Sequence, residues 1–406
     1  MGKVKEFLKI GSPSTLFSAF IYFDISFMIW VMIGALGIFI TEEFGLSPAQ
    51  KGMLVSIPLL GGTLLRIPMG ILSDKFGSRK VALVGMLLTM IPLIIGWQLA
   101  NSIEVVYLVA ILLGVAGASF AVALPLASKW YPPQYQGLVM GIAGAGNSGT
   151  VLATFFAPRL AKAYGWHSVF GFALIPLVIV FIFFFFVAKD STLVKTPAKK
   201  IIDFLRPIKS RDALLLSGLY AITFGGFVGL ASFLPIFFHD QFKLDKITAG
   251  NATALCVLAG SFVRPIGGYL ADKFGGVKIL SIIYIIIASL TVLIAGMFDL
   301  QTTLVGFIAL MLCLGIGNGS VFQLVPVRFK SEVGVITGFV GAFGGLGGFL
   351  LPNLLGSLKS ITGSYGPGFL VFGIIAVLAT ISLAYIHSKV WSKEEWSSSE
   401  TKVVTA

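Results

Sequence analysis

The sequence predicts an all-α integral membrane protein in which about twelve transmembrane helices divide into two six-helix bundles. Three observations carry that prediction. Of the 406 residues, 57% are hydrophobic and only 11% are charged, whereas a soluble chain is about a quarter charged. Apolar stretches close to the ~20 residues that cross a bilayer recur along the whole length, which favours helices over the short alternating segments of a barrel. Finally, the two halves of the chain repeat.

Taken in order, the spans are expected at roughly 16–40, 50–72, 80–100, 105–128, 137–160, 166–188, 213–238, 248–271, 278–298, 303–327, 333–358 and 366–387. The repeat pairs them. GILSDKFGSRK from Gly70 returns as GYLADKFGGVK from Gly268, GLVMGIAGA from Gly137 returns as GVITGFVGA from Gly334, and LLGVAGAS ending at Ser119 parallels CLGIGNGS ending at Ser320. All three offsets are roughly 200 residues. Repeats in one orientation describe two bundles related by an axis along the membrane normal, with substrate near the midplane where they meet. The expected organisation is a bundle over 1–188, a basic linker over 189–211, a second bundle over 212–387 and a tail over 388–406.

The net charge of +12 is a topology signal and not a nucleic-acid signal. Placing the amino terminus and every second loop in the cytoplasm puts about 21 of the 29 Lys and Arg residues there, about 6 opposite and 2 in the membrane. Both termini are therefore expected on the cytoplasmic side of the cytoplasmic membrane. The linker contributes Lys195, Lys199, Lys200, Arg206, Lys209 and Arg211, a composition suited to lying near anionic lipid. Cys256 and Cys313 are too few for a disulfide framework and belong to no metal-ligand spacing. The first apolar run is too long for a cleavable signal, and MGKVKE lacks the hydroxyl residue of a myristoylation signal.

The two intramembrane charges are Arg66, in GGTLLRIPMGILSDKFG, and Arg264, in AGSFVRPIGGYLADKFG. An arginine at the bilayer centre costs about 2.5–3.5 kcal/mol even on lenient scales and marks a functional site by default. Two of them at equivalent places, with no acidic neighbour in sequence, point to an anion held between the bundles. A guanidinium stays charged and offers a planar fork of donors, and repulsion between two forks is relieved when an anion enters. Asn147, an amide in an apolar helix, needs a partner and can donate to an oxyanion. The surrounding GAGNSG matches GxGxxG, but no strand precedes it, so a dinucleotide site is not expected. Gly141, Gly144, Gly338 and Gly341 instead suit close helix packing.

The loop at Gly70 to Lys80 resembles the signature of the major facilitator superfamily, and the copy at Gly268 departs from it at Val277. GIAGAGNSG from Gly141 and GFVGAFGGLGGFLLP from Gly338 resemble the two glycine-rich signatures of the nitrate/nitrite porter family. With the two arginines and the flanking helices, the resemblance covers Ser14 to Ile386. It implies the major facilitator fold, transport of nitrate and nitrite by alternating access, and no enzyme activity, metal or prosthetic group. It further implies substrate contact by Asn147 and by pocket aromatics at Phe27, Phe120, Tyr220 and Phe224. Asp74 and Asp272 become gating-loop residues, and the protein is expected to act as a monomer. The expected mode is nitrate/proton symport, with Asp24 the candidate proton carrier. Nitrate/nitrite antiport is the alternative, followed by transport of another small anion and by an anion channel. An enzyme is disfavoured by the lack of HExxH, GxSxG and paired midplane carboxylates. His167 and His239 fall at helix ends and are read as interfacial.

Overall fold

In a computed structural model the protein is described over residues 7, 10–132, 135–191, 206–329 and 333–391. Lys195, Lys199 and Lys200 of the linker, the MGKVKE terminus and the tail from 392 lie outside the described residues. Within them, twelve helices are long and apolar enough to cross a membrane. In order these are α1 Pro13–Trp30, α2 Pro48–Phe76, α3 Ser78–Gln98, α4 Ile103–Ser128, α5 Val139–Tyr164, α6 Trp166–Val187, α7 Arg211–Phe242, α8 Lys246–Phe274, α9 Gly276–Ala295, α10 Leu300–Val325, α11 Val335–Thr362 and α12 Gly366–Lys389. They correspond one for one to the expected spans.

Local chemistry sets the ends. Pro13 and Pro48 occupy first-turn positions, where a missing N–H costs nothing, behind the caps Ser12 and Ser47. Ser47 and Gln50 form a reciprocal capping box. The Asp-Lys-Phe-Gly turns end α2 and α8 on Gly77 and Gly275, whose φ values of 92° and 90° fall where a side chain would be strained.

Several helices are broken where the expectation had them continuous. Beyond α1 the chain continues as short helices Met32–Ala35 and Gly37–Glu43, and Gly34 in the first of them lies against the backbone of Ser232 in α7 too closely for any side chain. α4 is interrupted around Leu113 and Ala118, where Gly114 meets Gly61 and Gly117 meets the ring of Trp30. α5 passes through a 3₁₀ segment, Ala145–Ser148. α8 is broken at Val263, since Pro265 has no N–H to return to the carbonyl of Ser261.

Burial sorts the helices into layers. α7 is enclosed almost throughout, while α3, α6, α9 and α12 pair at the periphery and expose apolar rows such as Val84, Leu88 and Ile91 on α3. Such rows fit lipid tails. The halves meet crosswise: α2 packs on α11, and α8 packs on α5. At the end of the molecule holding the α1–α2 and α7–α8 loops, polar contacts bridge the halves. Lys51 pairs with Asp240 at 2.8 Å, Glu42 with His239 at 3.2 Å and with Lys246, and Asn353 donates to Ser56 at 2.6 Å. At the opposite end the ion pairs among the described residues stay within one half, Lys129 with Asp74 at 3.1 Å and Arg328 with Asp212 at 2.7 Å.

Candidate functional site

Arg66 lies eighteen positions into α2 and is 2% exposed. Its Nη1 donates to the carbonyl of Gly341 on α11 and its Nε to the carbonyl of Gly117 at 3.4 Å, while Nη2 has no partner. Three rings surround the guanidinium, with centroids at 5.3 Å for Trp30, 5.2 Å for Phe120 and 5.1 Å for Phe224. Trp30 is itself fixed by donating to the carbonyl of Pro58 at 2.6 Å.

Arg264 lies eighteen positions into α8, directly after the break at Val263, and is 6% exposed. Its guanidinium approaches the point where a side chain on Gly144 would begin, 3.5 Å away, so that glycine gives it room against α5. Phe120 at 5.9 Å and Phe322 at 5.6 Å flank it, and Nη1 has no partner. Each arginine thus reaches the glycine-rich helix of the opposite half. Phe120 lies between the two charges. Among the described residues no carboxylate pairs with either arginine.

Tyr220, Phe224 and Gly341 lie against this pair. Tyr220 and Phe224 stack at 5.0 Å and 10°. The Tyr220 hydroxyl lies beside the guanidinium of Arg264 and within electrostatic reach of Arg66, yet forms a well-aligned hydrogen bond with neither. Phe27 is one ring further out, edge-on to Phe224 at 6.2 Å and to Trp30 at 5.0 Å. Asn147 sits in the 3₁₀ segment one turn beyond Gly144, fully buried, with neither side-chain polar atom bonded. Gly341 supplies its carbonyl to Arg66 and lets Phe120 approach. Gly141 faces Pro265 at 4.0 Å, and Gly338 is half-buried on α11.

Three candidates lie outside the cage. Asp24, on α1, accepts from Ser148 Oγ at 2.7 Å. Asp74 is tied to Lys129, and Asp272 is exposed with no ion pair among the described residues. His167 contacts the carbonyl of Ala100 and His239 pairs with Glu42, both at helix ends.

Sequence reading missed Phe322, Trp30, Phe23 and Asn318. Phe322 meets Tyr220 edge-on at 4.7 Å and Phe120 at 6.0 Å, closing the cage from α10. Phe23 packs on Phe27 at 5.2 Å and Phe120 at 5.7 Å. With 36 phenylalanines in the chain, nothing local distinguished these. Asn318, fully buried on α10 with both polar atoms unbonded, stood in the quoted repeat as its one amide, and that was the available signal.

The free groups define the chemistry. Arg66 Nη2, Arg264 Nη1 and the Tyr220 hydroxyl are donors without a well-aligned hydrogen bond in an aromatic enclosure, and Asn147 Nδ2 is a further buried, unpaired donor on α5; unpaired buried donors are costly unless a ligand takes them. A small flat anion matches them, since its edge meets the guanidinium forks and its faces meet rings.

Comparison with known proteins agrees with this geometry. The family model described as Major Facilitator Superfamily matches residues 18–352. The chain is 35% identical over 364 residues to the probable nitrate transporter NarT of Staphylococcus epidermidis, covering 89% of this chain and 93% of that protein. It is 34% identical to the nitrite extrusion protein of Bacillus subtilis, with 89% and 91% covered. It is 32% identical to the probable nitrate/nitrite antiporter NarK1 of Thermus thermophilus, with 90% and 88% covered. Among solved structures, the human organic anion transporter MFSD10 superposes with a TM-score of 0.72 at 14% identity, covering 91% of this chain and 99% of that one. A bacterial homologue of the lysosomal transporter Spinster, inward-facing and occupied, gives 0.69 at 16% identity, with 93% and 97% covered. From the crosswise helices, the paired arginines and these relatives, the chain belongs to the major facilitator superfamily and, within it, to the nitrate/nitrite porter family.

Proposed function

We propose that this protein carries nitrate and nitrite across the cytoplasmic membrane by alternating access, and that it is a transporter and not an enzyme. One observation carries the reading: two guanidiniums from opposite bundles share the ring of Phe120, keep free donors, and have no carboxylate to neutralise them among the described residues. Nitrate is ionised at every biological pH, so positive charge must come from the site. Arg66 and Arg264 supply it, Asn147 and Tyr220 orient the anion, and Phe27, Phe120 and Phe224 enclose it. The bundles over 1–188 and 212–387 rock about the linker at 189–211, and the start of the tail expected at 388–406 packs on the second bundle, where Trp391 is buried and donates to Asp212. Gly141, Gly144, Gly338 and Gly341 keep α5 and α11 slim where the halves slide. Asp74 and Asp272, which lie in the last turns of α2 and α8 and not in the loops where they were expected, set the balance of states.

The distribution of lysine and arginine supports both termini in the cytoplasm. The bridged end, at Lys51 and Asp240, then faces outward, and the described state is closed to the outside. Monomers suffice for this cycle.

Purified protein in liposomes tests the reading. Labelled nitrate held inside should exchange with external nitrate or nitrite, and external nitrite should compete while phosphate and sugars do not. Exchange with a sugar in place of nitrite would refute it.

A further inference from the structure

Asn318, on α10, is an amide to which the anion site described above gives no role. It is fully buried, and neither Oδ1 nor Nδ2 has a hydrogen bond. Its neighbours fix where it points. Gly317 before it lies against Thr223 of α7, and Gly319 after it lies against the carbonyl of Arg264 on α8. Successive helix positions are about 100° apart, and α9 covers the far side of α10, where Gly306 meets Ile294. Asn318 therefore projects between α7 and α8. Phe322 stands one turn further along the same face, and its ring meets both the Arg264 guanidinium and Tyr220.

The first half shows what this position can do. In the repeat Asn318 stands where Gly117 stands on α4. Gly117 closes on the indole of Trp30 with no room for a side chain, and its carbonyl accepts from Arg66 Nε at 3.4 Å. In the second half Phe227 takes the place of Trp30, meeting Gly260 as Trp30 meets Gly62, and the smaller ring admits a side chain. A leucine would fill that space without penalty. An amide leaves two donor hydrogens and an acceptor oxygen out of water, which is costly unless a partner takes them in some state of the protein. Arg264, beside the same ring of Phe322, keeps Nη1 free and has no carbonyl partner among the described residues. A free acceptor and a free donor thus share one wedge of the second bundle.

We propose that Asn318 is the positioning residue of Arg264: with the anion bound, its Oδ1 accepts one N–H of the guanidinium and aims the remaining donors at the substrate. This rests on the nitrate reading above. The amide does with a side chain what the Gly117 carbonyl does for Arg66 with the backbone. A backbone carbonyl is in place before the anion arrives, whereas a side-chain amide turns to meet the guanidinium when the anion draws it in. Arg264 is therefore held only in the loaded site. A neutral acceptor suits this task, because a carboxylate in its place would cancel the charge that the anion needs.

Thermal melting of the purified protein with and without nitrate, together with nitrate exchange in proteoliposomes, tests this. Asn318→Leu keeps nearly the same shape and removes the acceptor. It should raise KM for nitrate about tenfold, the worth of one hydrogen bond to a charged group. The maximal exchange rate should stay near that of the wild type, and the melting temperature of the empty protein should not fall. Asn318→Asp puts a carboxylate within reach of Arg264. That pair should keep the empty protein at or above the wild-type melting temperature and abolish the rise that nitrate produces, whereas a buried carboxylate with no partner is strongly destabilising. An unchanged KM in Asn318→Leu would overturn the proposal, and so would a lowered melting temperature in Asn318→Asp, since either outcome makes Asn318 a packing residue only. Should Asn318→Leu fail to fold, the second variant decides alone. Absence of nitrate exchange in the wild type would instead bring down the nitrate reading, and this proposal with it.

Discussion

Arg66 and Arg264 occupy the same place in the two repeats and are held differently. Arg66 is bonded to two carbonyls, one of them across the interface, and ringed by three aromatics on an unbroken helix. Arg264 has no carbonyl partner among the described residues, two flanking rings, and a helix break immediately before it. A repeat thus supplies two like charges, and the tertiary environment ties one, the post, to two carbonyls and leaves the other, the arm, without a carbonyl partner among the described residues.

Replacing each arginine by lysine tests that asymmetry most strongly. Both changes remove the planar fork and should cut nitrate affinity about tenfold to a hundredfold, the worth of one to two charge-assisted hydrogen bonds at about 1.5–3 kcal/mol. They should separate in thermal melting. Arg66→Lys loses the bond to Gly341 and lowers the melting temperature of the empty protein, whereas Arg264→Lys leaves it unchanged and abolishes the rise that nitrate produces in the wild type. Equal melting of the two empty variants would erase the distinction between post and arm.

A second asymmetry lies in the ring beside the arm. Tyr220 stands 197 positions after Phe23, its counterpart in the first half, and its hydroxyl lies beside the Arg264 guanidinium without a well-aligned hydrogen bond. Tyr220→Phe makes the second half resemble the first. It should raise KM for nitrate about fivefold, equivalent to about 1 kcal/mol for one hydrogen bond, with the melting temperature unchanged. An unchanged KM would mean that the hydroxyl does not serve the anion.

The smallest effect concerns the outer helix ends. α2 and α4 are capped by Ser47 and Ser102, while their counterparts α8 and α10 are capped by Asp245 and Asp299. Hydrogen bonds from Thr248 and from Thr302 hold these two carboxylates below the usual aspartate range. A lowered value in the folded state means the contribution is present above the unfolded value of about 3.9 and is lost as pH falls through the folded value. Amide exchange compared between neutral and acidic solution should therefore loosen the first turns of α8 and α10 and spare those of α2 and α4. Equal loosening in both halves would remove this difference.

Much of the fold was legible because membrane spanning imposes local rules. Length, apolarity and loop charge marked twelve spans, and the repeat paired Arg66 with Arg264 before any coordinates. The glycines beside them were visible as small residues, but their use was not. Sequence suggested backbone approach at Gly144 and Gly341, whereas in the structure these two positions face the arginines and the ring of Phe120. The breaks at Val31 and Leu113 were hidden, because nothing in the sequence says which glycines meet a neighbouring backbone, whereas the break at Val263 had a visible cause in Pro265.

By itself, then, the sequence determined which segments are helices, how they repeat and which two charges enter the membrane, since these follow from composition and spacing along one chain. Only the tertiary structure decided that Phe322 and Trp30 complete the cage, that each arginine crosses to the other half's glycine helix, and that Asp24 meets Ser148. Those facts depend on the rotation of each helix about its axis, which packing between distant segments fixes and local sequence does not.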